Sequence, residues 1–432
     1  MDVLYCSGHT HLPSGKVLFV GGAYYQNLSR PGEKEFGLNY ARVFIPVNDA
    51  SGGYFERIDH NLTIGDSWYP TVANLPDGRV LVAGGFFACC GDSVVNSQLA
   101  IFDPVLYEQG SNPWSVLADL QTTRNDTAPG IKDYTRLWVL KKPVIAANGV
   151  RYDVAAMGWR GKLVLLNTDA STPAAQRWFD PPNQQRPDDG SCAWDSTAAV
   201  LPSGELLTMG GCSETGPHVR RVDMYDPQTD SWRNFETLLP RRTPSSVLLP
   251  DGSVLLMNGE NPLINQSEPQ TAAALGDPRV PVIFNPQTGS VLFLKPEPEQ
   301  VPAFRGYHNM VVLLKDGRIL TGGGVHKRGD IGCEQSTFRL FTPPYLLTGK
   351  PRPVFLSGHL PEPIVFTPGS YSVIRVSGRL RSKGGVVLLA AGSFTHAYDQ
   401  NQRYVELTAT SDSVADVQNL VVLAPAVPDA VY

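Results

Sequence analysis

The chain has 432 residues, a net charge of −5, 42% hydrophobic and 18% charged residues, and 41 Gly and 36 Pro. This is long enough for one large repetitive domain plus a smaller one, built from short elements and tight turns, and its apolar content excludes disorder and a collagen-like period. The acidic balance without a long basic run gives no electrostatic footprint for nucleic acid or an anionic membrane, no stretch approaches the ~18 apolar residues of a membrane span, and MDVLYCSG lacks the regions of a signal peptide.

In chain order, the first element is HTHLPSGKVLFVGG, an apolar run, a Ser-Gly turn and a second apolar run ending in glycines. The pattern recurs as TVANLPDGRVLVAGG, STAAVLPSGELLTMGG, PSSVLLPDGSVLLMNG and NMVVLLKDGRILTGGG, each the signature of a β-hairpin. YTRLWVLKKPVIAANG is a degenerate sixth copy, read with its turn after Lys141 and its turn glycine lost. Strings such as AIFDP, VDMYDPQTDSW and VIFNPQTGSV fall between the hairpins and read as the outer strands of the same four-stranded unit.

Aligned on Pro13, Pro76, Lys141, Pro202, Pro250 and Lys315, the copies place Cys6, Tyr69, Tyr134, Asp195, Thr243 and His308 at one equivalent position, seven residues upstream. Repeats of this kind resemble kelch-type β-propeller blades. That resemblance implies a first strand lining a central channel in every blade, all running the same way, so the six positions gather at one mouth. From about residue 350 the repeat stops, and KPRPVFLSGHLPEPIVFTPGSYSVIRVSG begins what reads as a small all-β sandwich. No strongly helical segment is expected.

Six cysteines, at 6, 89, 90, 192, 212 and 333, form no CxxC pair, which argues against a zinc site. Cys192 and Cys212 are candidates for one disulfide that the sequence does not decide. Sequons at Asn27, Asn61, Asn125 and Asn265 permit glycosylation but occur nearly as often by chance. The mouth concentrates a cysteine, two tyrosines, an aspartate and a histidine, with Tyr307 beside His308; imidazole suits copper, zinc, iron or nickel, and a phenolate adds a hard anionic ligand. His9 and His11 share one strand face but have no third ligand, so they read as structural, while His60, His218, His326 and His359 fall in loops or turns. No nucleophile elbow or HExxH pair exists.

Cys6 in YCSGHTHLP, Tyr69 in SWYPTVANLPDGR, Tyr307 and His308 in FRGYHNMVVLLKDGR, His396 in GSFTHAYDQNQRYVEL, and FRLFTPPYL before the second domain together resemble the copper radical oxidases, the galactose oxidase and glyoxal oxidase family. The resemblance implies an all-β fold: a seven-bladed kelch propeller over 1–348, six blade starts of which are visible, and an immunoglobulin-like sandwich over 349–432. It implies one copper ion held by Tyr69, Tyr307, His308 and His396, and a thioether between Cys6 and Tyr69 that carries the radical. Cys6, Tyr69 and Tyr307 would be the catalytic residues, with His396 delivered by a loop of the second domain.

The implied reaction is two-electron oxidation of a primary alcohol, aldehyde or carbohydrate by O2, giving H2O2, in a secreted, monomeric enzyme without nucleic-acid partners. In galactose oxidase a tryptophan stacks on the cross-linked ring where this chain has Phe87, leaving Trp68 or Trp194 as alternatives. Both ends read as cut short. The competing readings are a non-catalytic kelch propeller that binds a protein or carbohydrate, and a metal protein without radical chemistry.

Overall fold

Each of the six hairpins forms the two inner strands of one antiparallel sheet in a computed structural model of the chain. The structure describes residues 2–25, 35–88, 95–119, 134–158, 161–187, 195–211, 221–236, 240–261, 278–296, 305–325, 335–356, 367, 369–377, 385–414 and 417–424. Blade 1 consists of Gly8–His11, Val17–Val20, Ala41–Pro46 and Gly53–Arg57. Blade 2 has Thr71–Asn74, Val80–Ala83, Gln98–Phe102 and Trp114–Asp119, and blade 3 has Arg136–Ile145, Arg151–Met157, Leu163–Leu166 and Trp178–Phe179. Blade 4 has Thr197–Val200, Leu206–Met209, Arg221–Asp226 and Ser231–Glu236, and blade 5 has Ser245–Leu248, Val254–Met257, Val282–Phe284 and Val291–Phe293. Blade 6 shows three strands among the described residues, Asn309–Leu313, Ile319–Gly323 and Phe338–Phe341.

The local cause is one repeated turn. In five blades the leucine before the turn accepts from the turn glycine and donates back across it, as in Gly15 N–H to the Leu12 carbonyl at 2.9 Å and Leu12 N–H to the Lys16 carbonyl at 2.8 Å. Gly15 sits at φ 82°, a conformation that costs glycine little. The second strands Val80–Ala83, Leu206–Met209 and Val254–Met257 are buried at every position, so they are apolar at every residue but Thr208 instead of alternating. Core residues cluster between neighbouring sheets: Leu18, Val43, Val80 and Phe102 join blades 1 and 2, and Leu207, Met224, Leu256 and Phe284 join blades 4 and 5. Inner strands of successive blades pack side by side from blade 1 through blade 6.

Blade 3 departs from the sequence expectation. Its inner strand does not turn at Lys141 but runs on to Ile145, with a register shift between Val139 and Val144, and the reversal comes at Asn148–Gly149. Residues 140–143 bulge opposite the single residue Asp153, and two further pairs, Val144 with Tyr152 and Ile145 with Arg151, carry the hairpin on to its later turn, which is why this copy seemed to lack its turn glycine.

Beyond the blades, Val354–Phe355, Tyr371–Ser377, Val417–Leu423, Tyr404–Val414 and Val386–Leu389 form a five-stranded antiparallel sheet in that order. Between its strands Val386–Leu389 and Tyr404–Val414, a short hairpin, Phe394–Thr395 with Tyr398–Asp399, packs against the inner strands of blades 4, 5 and 6. One helical turn, Pro104–Glu108, is capped by the Asp103 side chain, and no helix among the described residues is long and apolar enough to cross a membrane.

Candidate metal centre

Every inner strand is preceded by a residue in the left-handed backbone region. Cys6, Tyr69, Tyr134, Asp195, Thr243 and His308 have φ of 61, 61, 39, 57, 49 and 66°. Non-glycine residues adopt this conformation rarely, and here it recurs at the one position that the hairpin alignment singles out. The bend also lets neighbouring blades bond through their backbones: Tyr69 N–H donates to the Cys6 carbonyl at 3.0 Å, Tyr134 N–H to the Tyr69 carbonyl at 2.9 Å, and Thr243 N–H to the Asp195 carbonyl at 3.1 Å. The alignment is thus a physical rim at one end of the inner strands.

Four of the six rim residues, Cys6, Tyr69, Tyr134 and His308, gather with Tyr307 and His396. The Tyr69 and Tyr307 hydroxyls are 2.8 Å apart in a buried hydrogen bond. The ligand atoms of Cys6, His308 and His396 all lie within 4.8 Å of one another, and the Cys6 side chain hydrogen-bonds the Tyr69 phenol. His396 stands on the turn of the short hairpin Phe394–Thr395 with Tyr398–Asp399, here called the plug, itself at φ 47° with Ala397 at 69°. Its ring meets Tyr69, Tyr307 and His308 edge-on at 5.0, 5.1 and 4.5 Å, and stacks on Tyr134 at 4.5 Å. Segments far apart in the chain therefore converge on one point.

The remaining two rim residues do other work. Asp195 is engaged by Arg242, whose Nε lies 3.0 Å from its carboxylate and 3.2 Å from that of Glu260, all three buried. Thr243 contributes its backbone, with its carbonyl accepting from the Asn309 side chain at 2.9 Å. His9 and His11 are half-buried on the inner strand of blade 1; the His9 ring stacks on Phe19 at 5.2 Å, and burial lowers its pKa to about 4. His60 and Asn61 are exposed. Cys89, Cys90, Cys192, Cys212, Cys333, Trp194, Asn27, Asn125, Asn265, His218, His326 and His359 lie outside the described residues.

The face of Tyr69 is covered by Trp68, with ring centroids 4.0 Å apart at 34°, and Phe86 backs the indole at 6.1 Å. Phe87 instead reaches Gly65. Two neighbours of the site carried no signal in the sequence beyond adjacency to a site residue: Tyr5, whose hydroxyl is 2.6 Å from His308 Nδ1, and Thr395, whose hydroxyl is 2.7 Å from His396 Nδ1.

Burial, then the proximity of Cys6 and Tyr307, raises the Tyr69 pKa well above the usual phenol value. In this apolar pocket the phenol keeps its proton unless a cation sits beside it. Two phenol oxygens at 2.8 Å and two imidazoles within reach form the N,O donor set suited to copper, and the oxygen spacing fits adjacent ligands of one ion.

Residues 196–239 match the kelch motif. The chain is 24% identical over 431 residues to a galactose oxidase of Gibberella zeae, covering 84% of this chain and 60% of that protein. It is 26% identical over 454 residues to an aldehyde oxidase GLOX of Vitis pseudoreticulata, covering 99% of this chain and 74% of the relative. Among solved structures, a fungal alcohol oxidase of the AA5 family in complex with copper shares the fold at a TM-score of 0.68 and 18% identity, covering 98% of this chain and 79% of that one. The chain thus spans only part of each of these relatives. In sequence the chain is thus similar to a galactose oxidase and to an aldehyde oxidase GLOX over most of its length, and in fold to a copper-bound alcohol oxidase.

Proposed function

We propose that this chain is a copper-dependent oxidase that takes two electrons from a primary alcohol or an aldehyde and passes them to O2. For an alcohol the balance is RCH2OH + O2 → RCHO + H2O2. One observation carries the reading: Cys6, Tyr69, Tyr307, His308 and His396, drawn from separate parts of the chain, meet around the 2.8 Å Tyr69–Tyr307 contact. The two-part organisation, with 1–348 holding most of the site and 349–432 supplying His396, belongs to the same proposal, as do a secreted location and small-molecule substrates.

Copper held by Tyr69, Tyr307, His308 and His396 would supply a one-electron couple and Lewis acidity. A second one-electron store is then required, and Tyr69 joined to Cys6 through sulfur fills that role, because a sulfur-substituted phenol is easier to oxidise than a plain one. Forming the thioether removes one hydrogen from the Cys6 sulfur and one from a Tyr69 ring carbon, with O2 taking the two electrons. Tyr307, at hydrogen-bond distance from Tyr69, is placed to receive the proton of the substrate hydroxyl. Trp68 shields the Tyr69 ring from water, and Tyr134 holds the His396 imidazole by stacking on it.

Peptide mass analysis after aerobic copper loading tests the reading. A mass two hydrogens below the sum of the Cys6 and Tyr69 peptides is expected; unlinked peptides after full copper uptake would overturn the radical oxidase and favour a plain metal protein.

A further inference from the structure

The candidate centre lies at the starts of the inner strands. Along the inner strands, against the segment that follows His396, is a cavity of about 50 Å³, walled by Ala73 and Asn74 of blade 2, Leu137, Trp138, Val139 and Lys141 of blade 3, Ala198 to Val200 of blade 4, and the segment Tyr398–Tyr404. Buried polar atoms normally find partners. Four on this wall have none in the protein among the described residues: Trp138 Nε1, Gln400 Nε2, Gln402 Oε1 and Arg403 Nε. Trp138 is 2% exposed and Gln400 5%.

The imbalance has a sign. The Gln400 carbonyl oxygen accepts from the His9 N–H at 2.9 Å, which fixes the amide so that its NH2 is the unused end. With the Trp138 indole and the Arg403 guanidinium, this makes three donors, one of them cationic, against a single acceptor. The Lys141 ammonium, bonded to the Pro202 carbonyl at 2.6 Å, stands in the same wall. The acid lining the cavity, Asp399, already accepts from Ser393 N–H at 2.8 Å and Asn401 N–H at 3.0 Å. Asp399 also faces the Arg403 charge, so what the wall still lacks is acceptors for its three unused donors, which stand beside the Lys141 ammonium.

We propose that this cavity binds a small carboxylate anion. The site is separate from the proposed copper centre and does not depend on the oxidase reading, yet its ligand would lie against the same segment that carries His396, four residues before Gln400. Each buried hydrogen bond to a charged group is worth roughly tenfold or more in affinity.

The test is calorimetric titration of metal-free protein with sodium acetate, against sodium chloride at matched ionic strength. One saturable site is expected for acetate and none for chloride. Trp138→Phe keeps the ring and removes the N–H; Gln400→Leu removes the amide. Each should weaken acetate binding at least tenfold in variants whose melting shows them folded. No saturable acetate heat, or affinities within twofold of the parent in both variants, would mean that the cavity holds water only and would overturn the proposal. Because no metal is present, either result leaves the copper reading untouched.

Discussion

Tyr69 shows how much one side chain's setting decides. Its hydroxyl reaches Tyr307, its ring lies under Trp68, and its backbone bonds both Cys6 and Tyr134. Tyr307→Phe removes the oxygen 2.8 Å from it while keeping the ring, so peroxide production should fall about 10²–10⁴-fold, as loss of a proton acceptor does. Cys6→Ser should retain copper, measured by metal analysis, and lose turnover, because serine cannot form the thioether; undiminished peroxide release would show that the sulfur has no redox part. At this scale the sequence was informative where a residue type and its register agreed, as for Cys6, Tyr69 and His308. It left Trp68 and Trp194 as alternatives for the stack because a residue beside a left-handed bend can turn either way, and bend geometry is not written in residue type. Tyr5 escaped for the same reason: its contact with His308 is made between the first and last blades, across 303 residues.

Among elements, the hairpins were legible because a turn glycine and two apolar runs leave one solution. Blade 3 was not, since its inner strand continues past the expected turn to a reversal at Asn148–Gly149. Gly149 has φ 80° and nothing within 4 Å of where a Cβ would stand. Gly149→Ala should therefore cost only backbone strain, about 1–2 kcal/mol, seen as a lower melting temperature. An unchanged melting temperature would place the turn elsewhere. The plug hairpin was foreseen only through His396, because Phe394–Thr395 and Tyr398–Asp399 are too short to carry a periodic pattern of their own.

For the molecule as a whole, two groups where blade 1 meets the segment after His396 give stability opposite pH dependences. His9 is lowered to about 4 by burial, so its contribution is complete above its ordinary value of 6.5 and is lost as pH falls toward 4. Asp399 is raised to about 6 by burial, so its contribution is complete below its ordinary 3.8 and is lost as pH rises toward 6, by up to about 3 kcal/mol. In the parent the two oppose each other between pH 4 and 6. His9→Phe, which preserves the stack on Phe19, should gain melting temperature over the parent as pH falls through that window; Asp399→Asn, which keeps an acceptor for Ser393 and Asn401, should lose ground over the same interval. Parallel shifts in the two variants would contradict this pairing.

The left-handed bend at six equivalent positions has a consequence for how such a centre can change. Bend and bonding belong to the main chain, so what each blade presents at the rim is a socket that accepts different side chains: sulfur, phenol, carboxylate, hydroxyl or imidazole in this one molecule. Exchange at a socket need not disturb its neighbours' backbone. Thr243, which the proposed copper chemistry leaves unused and which serves its neighbours through its backbone, is therefore the place where a designer could graft a new donor into the same ring, whereas Asp195 is tied to Arg242.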